Sequence, residues 1–472
     1  MDKQNVKLKV EKLDVFDKHI FMTHSLNDTH MFQTKVFYPN GELVELKKFY
    51  QENELRKLYC HIAFFEGFKF MMAFPHTYDI THIEDGLCQE TLNYSNDIIA
   101  KLYGQHIYEN KRVEWIGPRI VFSADLSSKF DSLKTPIELK CKDLVKDVHE
   151  RPLLCSNGGG KDSLLAMNLV SQANKQFSVF THARSEYGRH EFQLKMQNKL
   201  LKHVANYKSK HEIIVFDDFT NGIFMQNYFP EIIGECVLGR PCQAGFPEMV
   251  FESLPFVLLN GYSFFVLGNE RSANAAQASC NEMSVVVNHQ FLKSYESEKS
   301  LGEFIKKFLV KDFSVFSILR PLHDYRIYQN ISKWPEIMCD IHSCNIGKPW
   351  CKECSKCAYV WCSLNSVFDT KLVHDVFKEN LFDKECLYEY WKQLLGLTEH
   401  NAFECVGECA ETRLAFKKCL EKGMTGKAID LFVKSNIMET TNWSELEKKY
   451  GTVYENDILI PEKLFSTLKT YF

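Results

Sequence analysis

The strongest chemical signal in the sequence is a glycine-rich loop at residues 158–163, which reads Gly-Gly-Gly-Lys-Asp-Ser. Three successive glycines let the backbone approach a ligand closely, with amide groups directed at it. The amphipathic segment that follows would add the partial positive charge of a helix N-terminus. An aspartate beside an anion calls for a bridging cation, and Mg²⁺ suits that position. The loop therefore predicts a phosphate site made by Gly158, Gly159, Gly160, Lys161, Asp162 and Ser163.

The same loop departs from two common nucleotide-binding patterns. A Walker A loop needs Lys followed directly by Ser or Thr, and here Asp162 intervenes. The dinucleotide pattern Gly-x-Gly-x-x-Gly is absent. A tight turn would need glycine for its geometry alone, but it would not need Lys-Asp-Ser. The loop resembles the pyrophosphate loop of the N-type ATP pyrophosphatases, Ser-Gly-Gly-x-Asp-Ser, with Gly158 where that family commonly has Ser. This resemblance implies that ATP is cleaved between its α- and β-phosphates and that AMP is transferred to a carboxylate or carbonyl.

A second polar segment, Gly268-Asn269-Glu270-Arg271, follows an apolar run at residues 263–268. Polar residues at the end of a parallel strand lie where α/β sheets bind ligands. We expect Gly268 and Asn269 to contact the nucleotide and Glu270 to hold a metal ion. Arg271 would grip a carboxylate or phosphate with its planar fork of donors. A solvated loop with a local ion pair is the alternative interpretation.

Three further residues carry side chains suited to proton transfer. His289 follows the apolar run at residues 285–287, and Glu404 and Cys405 lie together in a later segment. A lone histidine is more often structural than catalytic, and Cys405 could equally be a core thiol. The sequence does not rank these three as bases.

Four cysteines, Cys344, Cys351, Cys354 and Cys357, lie within fourteen residues. Paired Cys-x2-Cys turns suit a tetrahedral Zn²⁺ with four sulfur ligands. Such a closed site has no open position for substrate, so we expect it to stabilise rather than catalyse. An iron–sulfur cluster and a chance spacing in a chain with 17 cysteines are the alternatives.

The elements that must position these residues lie mainly between residues 148 and 365. Short apolar runs at 152–156, 177–182, 212–216 and 263–268 alternate with helical-length segments such as 161–173 and 189–207. This alternation predicts βαβ units and a parallel sheet, and continuous apolar runs fit strands buried on both faces. We predict an α/β fold with a parallel-sheet, ATP-pyrophosphatase-like (HUP-like) core at residues 148–365. Residues 1–147 read as a mixed α+β N-terminal domain, and residues 366–472 read as a mainly helical C-terminal region.

Composition narrows the functional class. The 472 residues are 45% apolar and 25% charged, which is ordinary for a globular protein. Lys and Arg number 57 against 61 Asp and Glu, and this balance argues against a nucleic-acid partner. No run approaches the roughly 18 apolar residues of a membrane span, and the N-terminus lacks a signal-peptide core. With an odd number of cysteines, these features predict a cytoplasmic protein without a disulfide framework. The oligomeric state is left open.

The motifs, taken in their order along the chain, resemble those of two protein families. A pyrophosphatase loop followed by a late four-cysteine site is similar to 7-cyano-7-deazaguanine synthase, in which the first cysteine gap is slightly longer. A closer resemblance, to the bacterial MurL peptide-stem epimerases, covers most of the chain. It rests on the glycine loop and on six later pieces, namely Asn269–Asn274, Val287–Gln290, Arg320–Leu322, Ser343–Asn345, Trp350–Cys357 and Phe403–Gly407.

The MurL resemblance implies an ATP- and Mg²⁺-dependent epimerase with a structural zinc ion. Its substrate would be UDP-N-acetylmuramoyl-L-alanyl-L-glutamate or a similar peptide with a free terminal carboxylate. Adenylation would neutralise that carboxylate, so that a base can remove the neighbouring α-proton. The candidate catalytic residues are then Asp162, Glu270, Arg271, His289, Glu404 and Cys405. An amide-forming, nitrile-forming or tRNA-modifying enzyme on the same loop is the alternative, and a nucleotide sensor without turnover is a third possibility.

Overall fold

The computed structural model describes residues 6–123, 133–141, 144–220, 246–280 and 285–472. Among these residues no helix is both long enough and apolar enough to span a membrane. The strands are β1 Lys7–Val15, β2 His19–Leu26, β3 His30–Phe37, β4 Thr77–Asp79, β5 Arg119–Val121, β6 Leu153–Asn157, β7 Phe177–Arg184, β8 Tyr207–Asp217, β9 Phe264–Leu267, β10 Ala278–Cys280, β11 Val285–Val287 and β12 Ser314–Ser317.

The α-helices surround the sheet and fill the C-terminal part. They are α1 Glu42–Leu46, α2 Glu52–Glu66, α3 Gln89–Leu102, α4 Gly104–Glu109, α5 Lys161–Gln172, α6 His190–Leu200, α7 Phe246–Asn260, α8 Tyr295–Phe308, α9 Asp324–Ile331, α10 Ser355–Val367, α11 Thr370–Phe377, α12 Tyr388–Leu395, α13 Cys409–Glu421, α14 Lys427–Lys434, α15 Ile437–Thr440, α16 Trp443–Gly451 and α17 Glu462–Leu468. The segment predicted as one helix at 189–207 is shorter, because α6 ends at Leu200 and Tyr207 already begins β8. The described residues after 367 contain no strand, in line with the predicted helical region.

One sheet of ten strands has the spatial order β12-β9-β6-β7-β8-β3-β2-β1-β4-β5. The first five strands are mutually parallel, which confirms the predicted parallel sheet. Chain order reverses at the centre of this parallel part, because β6 has β7 on one side and the much later β9 on the other. Open α/β sheets bind their ligands at such a switch point, beyond the carboxyl ends of the strands. The sheet thus brings the glycine loop after β6 beside the polar segment after β9.

The N-terminal strands join the same sheet. Strands β1 to β3 form an antiparallel ribbon, and β3 pairs antiparallel with β8, with Thr34 opposite Asp217. The sheet therefore crosses the boundary predicted near residue 147. The division of the chain into three domains stays a prediction.

Two hydrophobic cores cover the two faces of the parallel strands. Leu154 and Phe265 face a core shared with the N-terminal elements, including the apolar segment at residues 58–74. Their neighbours Cys155 and Val266 face the second core, which α5 and the C-terminal helices complete. Burial on both faces explains why these strands read as continuous apolar runs.

Candidate active site

The glycine loop is held by its own side chains and by a distant histidine. The Gly158 amide donates to Ser163 Oγ (2.9 Å), and the Gly159 amide donates to Asn157 Oδ1 (3.0 Å). Gly159 has φ +80°, and a Cβ there would overlap the ring of His342. Glycine is therefore required at Gly159 both by the backbone conformation and by the close approach of His342.

Lys161 points into the protein and joins two carboxylates. Its Nζ lies 2.6 Å from Asp162 Oδ1 and 2.5 Å from Asp324 Oδ1, and it lies over the Tyr328 ring at 4.6 Å. Burial by itself would lower the pKa of Lys161, but the two carboxylates outweigh burial and raise it well above its ordinary value. Lys161 is therefore a fixed positive charge at the start of α5.

The segment after β9 meets the glycine loop closely. A Cβ on Gly268 would lie 3.0 Å from the backbone carbonyl of Asp162, so glycine permits this approach. Burial raises the pKa of Asp162, and the negative charges of Glu270 and Asp324 raise it further against the opposing effect of Lys161. We call Lys161, Asp162, Glu270 and Asp324 the loop cluster.

Two residues predicted in the segment after β9 have partners within the protein. Asn269 Nδ2 donates to Glu298 Oε1 (2.8 Å), and its backbone amide donates to Ser317 Oγ (3.2 Å). Arg271 donates to the carbonyl and side chain of Asn456 (3.0 and 3.2 Å), and its guanidinium lies 4.1 Å from the centre of the Tyr454 ring. The structure thus connects Arg271 to the C-terminal segment, and its contact with substrate stays a prediction.

The three predicted proton-transfer residues lie together. Ligand atoms of His289, Glu404 and Cys405 all lie within 4.8 Å of one another, and His289 Nε2 is 3.9 Å from Glu404 Oε1. The Cys405 amide donates to Glu404 Oε1 (3.0 Å). Burial would raise the pKa of Cys405, but the Lys293 ammonium and a hydrogen bond with His289 lower it to about 7. A thiol with this pKa is about half ionised near neutral pH, which suits a base.

Lys293 links this group to the loop cluster. Burial would lower the pKa of Lys293, but Cys405, Glu270 and Asp162 raise it above its ordinary value. Its ammonium therefore lies in the field of both groups. We call His289, Lys293, Glu404 and Cys405 the thiol cluster.

The four predicted cysteines also converge. All four sulfur atoms lie within 4.8 Å of one another, with Cys344 Sγ 4.0 Å from Cys354 Sγ and Cys351 Sγ 3.8 Å from Cys357 Sγ. A tetrahedral zinc ion with Zn–S bonds of about 2.3 Å needs sulfur atoms about 3.8 Å apart. The amides of Ile346 and Gly347 donate to Cys344 Sγ at 3.4 and 3.3 Å. The sulfurs therefore fit a four-thiolate metal site.

A cleft of about 670 Å³ opens beyond the ends of β7 and β8. Its lining includes the exposed rings of Tyr187 and Phe192 and the basic side chains of Lys195 and Lys348. The lining also carries the carboxylates of Glu186 and Glu191 and includes no residue of the glycine loop, so this cleft is separate from the predicted phosphate site.

The sequence interpretation missed Lys293, Asp324, His342 and Lys356, and each of these residues touches or electrostatically faces a predicted one. Lys356 lies inside the four-cysteine segment but was given no role, and the other three belong to no chemical pattern. Asp324 follows the Arg320–Leu322 piece by two residues, and His342 precedes Ser343–Asn345. Proximity to those pieces was the one signal that could have found them.

Two stretches of this chain match models of known protein domains. Residues 340–448 match the MurL C-terminal domain, and residues 253–318 match the MurL N-terminal domain. Both stretches resemble MurL. The first contains Glu404, Cys405 and the four cysteines, and the second contains Glu270, His289 and Lys293. No solved structure matches the chain.

Three curated relatives carry the name UDP-N-acetyl-alpha-D-muramoyl-L-alanyl-L-glutamate epimerase. The protein from Xanthomonas oryzae pv. oryzae is 31% identical over 167 residues, which cover 34% of this chain and 37% of the relative. The relative from Micromonospora sp. is 27% identical over 197 residues, covering 40% and 43%. The relative from Salinispora tropica is 29% identical over 168 residues, covering 34% and 36%. The matched part thus spans about two fifths of each relative.

Proposed function

We propose that this protein is an ATP-dependent epimerase that adenylates the terminal carboxylate of a peptide and inverts the adjacent α-carbon. The peptide is UDP-N-acetylmuramoyl-L-alanyl-L-glutamate or one like it, and the products besides the inverted peptide are AMP and pyrophosphate. The observation that carries the proposal is that one segment contacts both groups: the His342 amide donates to the Gly159 carbonyl (3.3 Å), and Asn345 Nδ2 donates to Glu404 Oε1 (2.9 Å). A phosphate-type loop and a proton-transfer group joined in this way suit activation followed by inversion, and the Lys293 ammonium lies in the electrostatic field of both. The names of the relatives support the epimerase reaction.

The glycine loop and the helix it opens serve the first step. The substrate carboxylate attacks the α-phosphorus of ATP, and the bond to the β-phosphate breaks to release pyrophosphate. Amides at the start of α5 and the positive end of the helix would bind the departing pyrophosphate. Lys161 holds Asp162 and Asp324 in place beneath this loop, so that the carboxylates stay ordered before ATP arrives.

We assign the divalent cation to two carboxylates of the loop cluster. Burial raises the pKa of Asp162, and the negative charges of Glu270 and Asp324 raise it further. Carboxylate oxygens are the protein ligands that Mg²⁺ prefers, and Mg²⁺ supplies charge neutralisation for phosphate oxygens. Asp162 and Glu270 would hold it. Zn²⁺ at the four cysteines would supply structure.

The thiol cluster serves the second step. Joining the carboxylate to AMP as a mixed anhydride removes its charge, so the α-carbanion is delocalised as an enolate. Cys405 as thiolate takes the α-proton, with Lys293 stabilising the thiolate and His289 bonded to it. Inversion also needs a proton delivered to the opposite face, so its donor lies across the substrate from Cys405. His289 and Glu404 lie within 4.8 Å of Cys405 and therefore orient and tune the thiol on its own face. Water then attacks the acyl group, and AMP leaves.

The decisive experiment follows the α-carbon directly. The protein is incubated with ATP, Mg²⁺ and the UDP-linked dipeptide in D₂O, and AMP, α-deuterium and chirality are measured. Cys405→Ser should slow deuterium incorporation by roughly 10²- to 10⁴-fold while pyrophosphate–ATP exchange persists. Cys409→Ser is the matched control, because burial raises the pKa of Cys409 to about 11 and its thiol donates to Asn401 Oδ1 (3.0 Å). ADP in place of AMP would contradict the adenylation step. A new amide or thio product with retained configuration would favour the amide-forming alternative.

A further inference from the structure

The segment at residues 342–357, which we call the cysteine module, contacts the glycine loop at its first residue. The His342 amide donates to the Gly159 carbonyl (3.3 Å). The His342 ring occupies the space beside Gly159 where a side chain would otherwise stand, and a Cβ on Gly160 would lie 3.1 Å from the His342 carbonyl oxygen. His342 therefore forms one wall of the glycine loop, two residues before the first sulfur ligand.

The same module contacts the thiol cluster. Asn345 Nδ2 donates to Glu404 Oε1 (2.9 Å), next to the ligand Cys344. Lys356, between the ligands Cys354 and Cys357, donates from Nζ to the carbonyl of Cys405. Lys356 is buried against this partner, whereas Asn345 reaches Glu404 from an exposed position. The backbone and the carboxylate that set the position of the Cys405 thiol are thus bonded to the cysteine module.

The module has little structure of its own to hold these contacts. Residues 342–354 contain neither helix nor strand, and regular structure resumes at Ser355 with α10. Within residues 342–354, backbone amides donate to the sulfurs, as with Glu353 to Cys351 Sγ (3.4 Å). Amide–sulfur bonds of this kind are strongest when the sulfur is a thiolate, which metal ligation ensures. The shape of the segment therefore depends on ligation at the sulfurs.

We infer that the four-cysteine metal site is a positioning centre that sets the glycine loop through His342 and the thiol cluster through Asn345 and Lys356. The contact with the glycine loop and the contacts with the thiol cluster affect different steps of the reaction. His342 governs the affinity for nucleotide, and Lys356 governs the α-proton step. This assignment of roles rests on the proposed function, whereas the mechanical link between metal and loops does not.

The mechanical link is tested by hydrogen–deuterium exchange without any ligand. The zinc-loaded protein is compared with protein stripped by a chelator and with protein reloaded with zinc. Amides at residues 155–163 and 401–407 should exchange about tenfold faster after stripping and recover on reloading, while the ribbon at residues 7–37 should not change. A uniform rise in all three regions would assign the metal a global stabilising role and overturn the inference. So would unchanged exchange in both loops.

Variants with zinc bound test the two ends separately. His342→Ala should weaken binding of α,β-methylene-ATP by about tenfold at unchanged zinc content. The matched control is His203→Ala, since His203 pairs with Asp340 (2.7 Å), two residues before the module, rather than with the glycine loop. Because Lys356 also lowers the pKa of Asp324, its variants are measured at saturating nucleotide. Lys356→Met should then slow α-deuterium incorporation by about tenfold, and Lys356→Arg should restore it. Its control is Lys352→Met, which sits between two ligands but pairs with Glu379 (3.0 Å) on the outer side.

Failure of the inference and failure of the proposed function give different results. If the wild-type zinc protein does not bind α,β-methylene-ATP, the proposed function fails, and the exchange experiment still decides the mechanical link. If nucleotide binds but His342→Ala and His203→Ala bind it equally, the positioning role of His342 is rejected. If Lys356→Met and Lys352→Met slow deuterium incorporation equally, the role of Lys356 is rejected.

Discussion

Two groups of buried charges lie against the parallel sheet, and they differ in access. The ribbon cluster, Glu66, Lys69, Arg184, Asp217 and Glu252, lies between β7, β8, α2 and α7, and none of its side chains is more than 2% exposed. In the loop cluster, Lys161 and Asp324 are equally buried, but the side chain of Asp162 is 31% exposed. The same residue types therefore serve different ends. The ribbon cluster is enclosed on every side and forms a structural network. In the loop cluster the carboxylate of Asp162 is open to solvent, so a ligand can reach it.

The pairing inside the ribbon cluster confirms its structural character. Arg184 donates to Glu66 (2.9 Å) and to Glu252 (3.3 Å), and Lys69 pairs with Glu66 (3.0 Å) and with Asp217. Burial would raise the pKa of Glu66, but Arg184 and Lys69 lower it well below its usual range. Burial instead raises the pKa of Glu252. The charged side chains of the ribbon cluster therefore pair with one another rather than with a ligand.

The largest effect should come from the open carboxylate. Asp162→Asn removes the charge that we assign to Mg²⁺, so AMP formation should fall by roughly 10³- to 10⁴-fold, equivalent to the several kcal/mol that a metal ion supplies. The melting temperature should stay near the wild-type value, because Lys161 keeps Asp324 as its partner. Rates of AMP release and thermal unfolding measure the two quantities. If Asp162→Asn instead lost much stability but formed AMP at the normal rate per folded molecule, Asp162 would be structural, like the members of the ribbon cluster.

The second effect should come from the enclosed network. Lys69→Met leaves the buried Asp217 without its cation and removes one of the two cations beside Glu66, which should lower the free energy of unfolding by about 3–5 kcal/mol. The rate of AMP formation per folded molecule should change little. Chemical denaturation gives the first value, and active-site-normalised kinetics give the second. Lys9→Met, which breaks a more exposed pair with Glu11 (2.7 Å), is the control and should cost no more than about 1 kcal/mol.

The smallest effect should be a pH dependence at the thiol cluster. Because the pKa of Cys405 is lowered to about 7, the thiolate forms above that pH and is lost below it. The rate of α-deuterium incorporation at low peptide concentration should therefore fall about tenfold for each pH unit below 7. Lys293→Met should shift this fall in rate to higher pH, since the Lys293 ammonium is the main group that lowers the pKa of Cys405. If the pH profile of the wild type instead shows a pKa near the ordinary value of a thiol, Cys405 is not the base.

The sequence predicted the strands and loops that bear chemical patterns. Strands β6, β7 and β9 were recognisable because both faces are buried, and the four cysteines because their spacing suits one metal ion. Lys293, Asp324 and His342 were not recognisable, because each is a single polar residue whose partner lies far along the chain. Lys161 and Asp324, for example, are 163 positions apart. Pairing of the ribbon with β8 was missed for the same reason, since no local pattern specifies a partner across such a distance.

The antiparallel pairing of β3 with β8 has a consequence for synthesis on the ribosome. Thr34 and its opposite residue Asp217 are 183 positions apart. At roughly 5–20 residues per second, the outer edge of β3 stays unpaired for about 10–40 seconds after it is made. An exposed strand edge is a template for pairing with other chains. The nascent ribbon therefore keeps one edge open to pairing with other chains until residues 214–217 have been made.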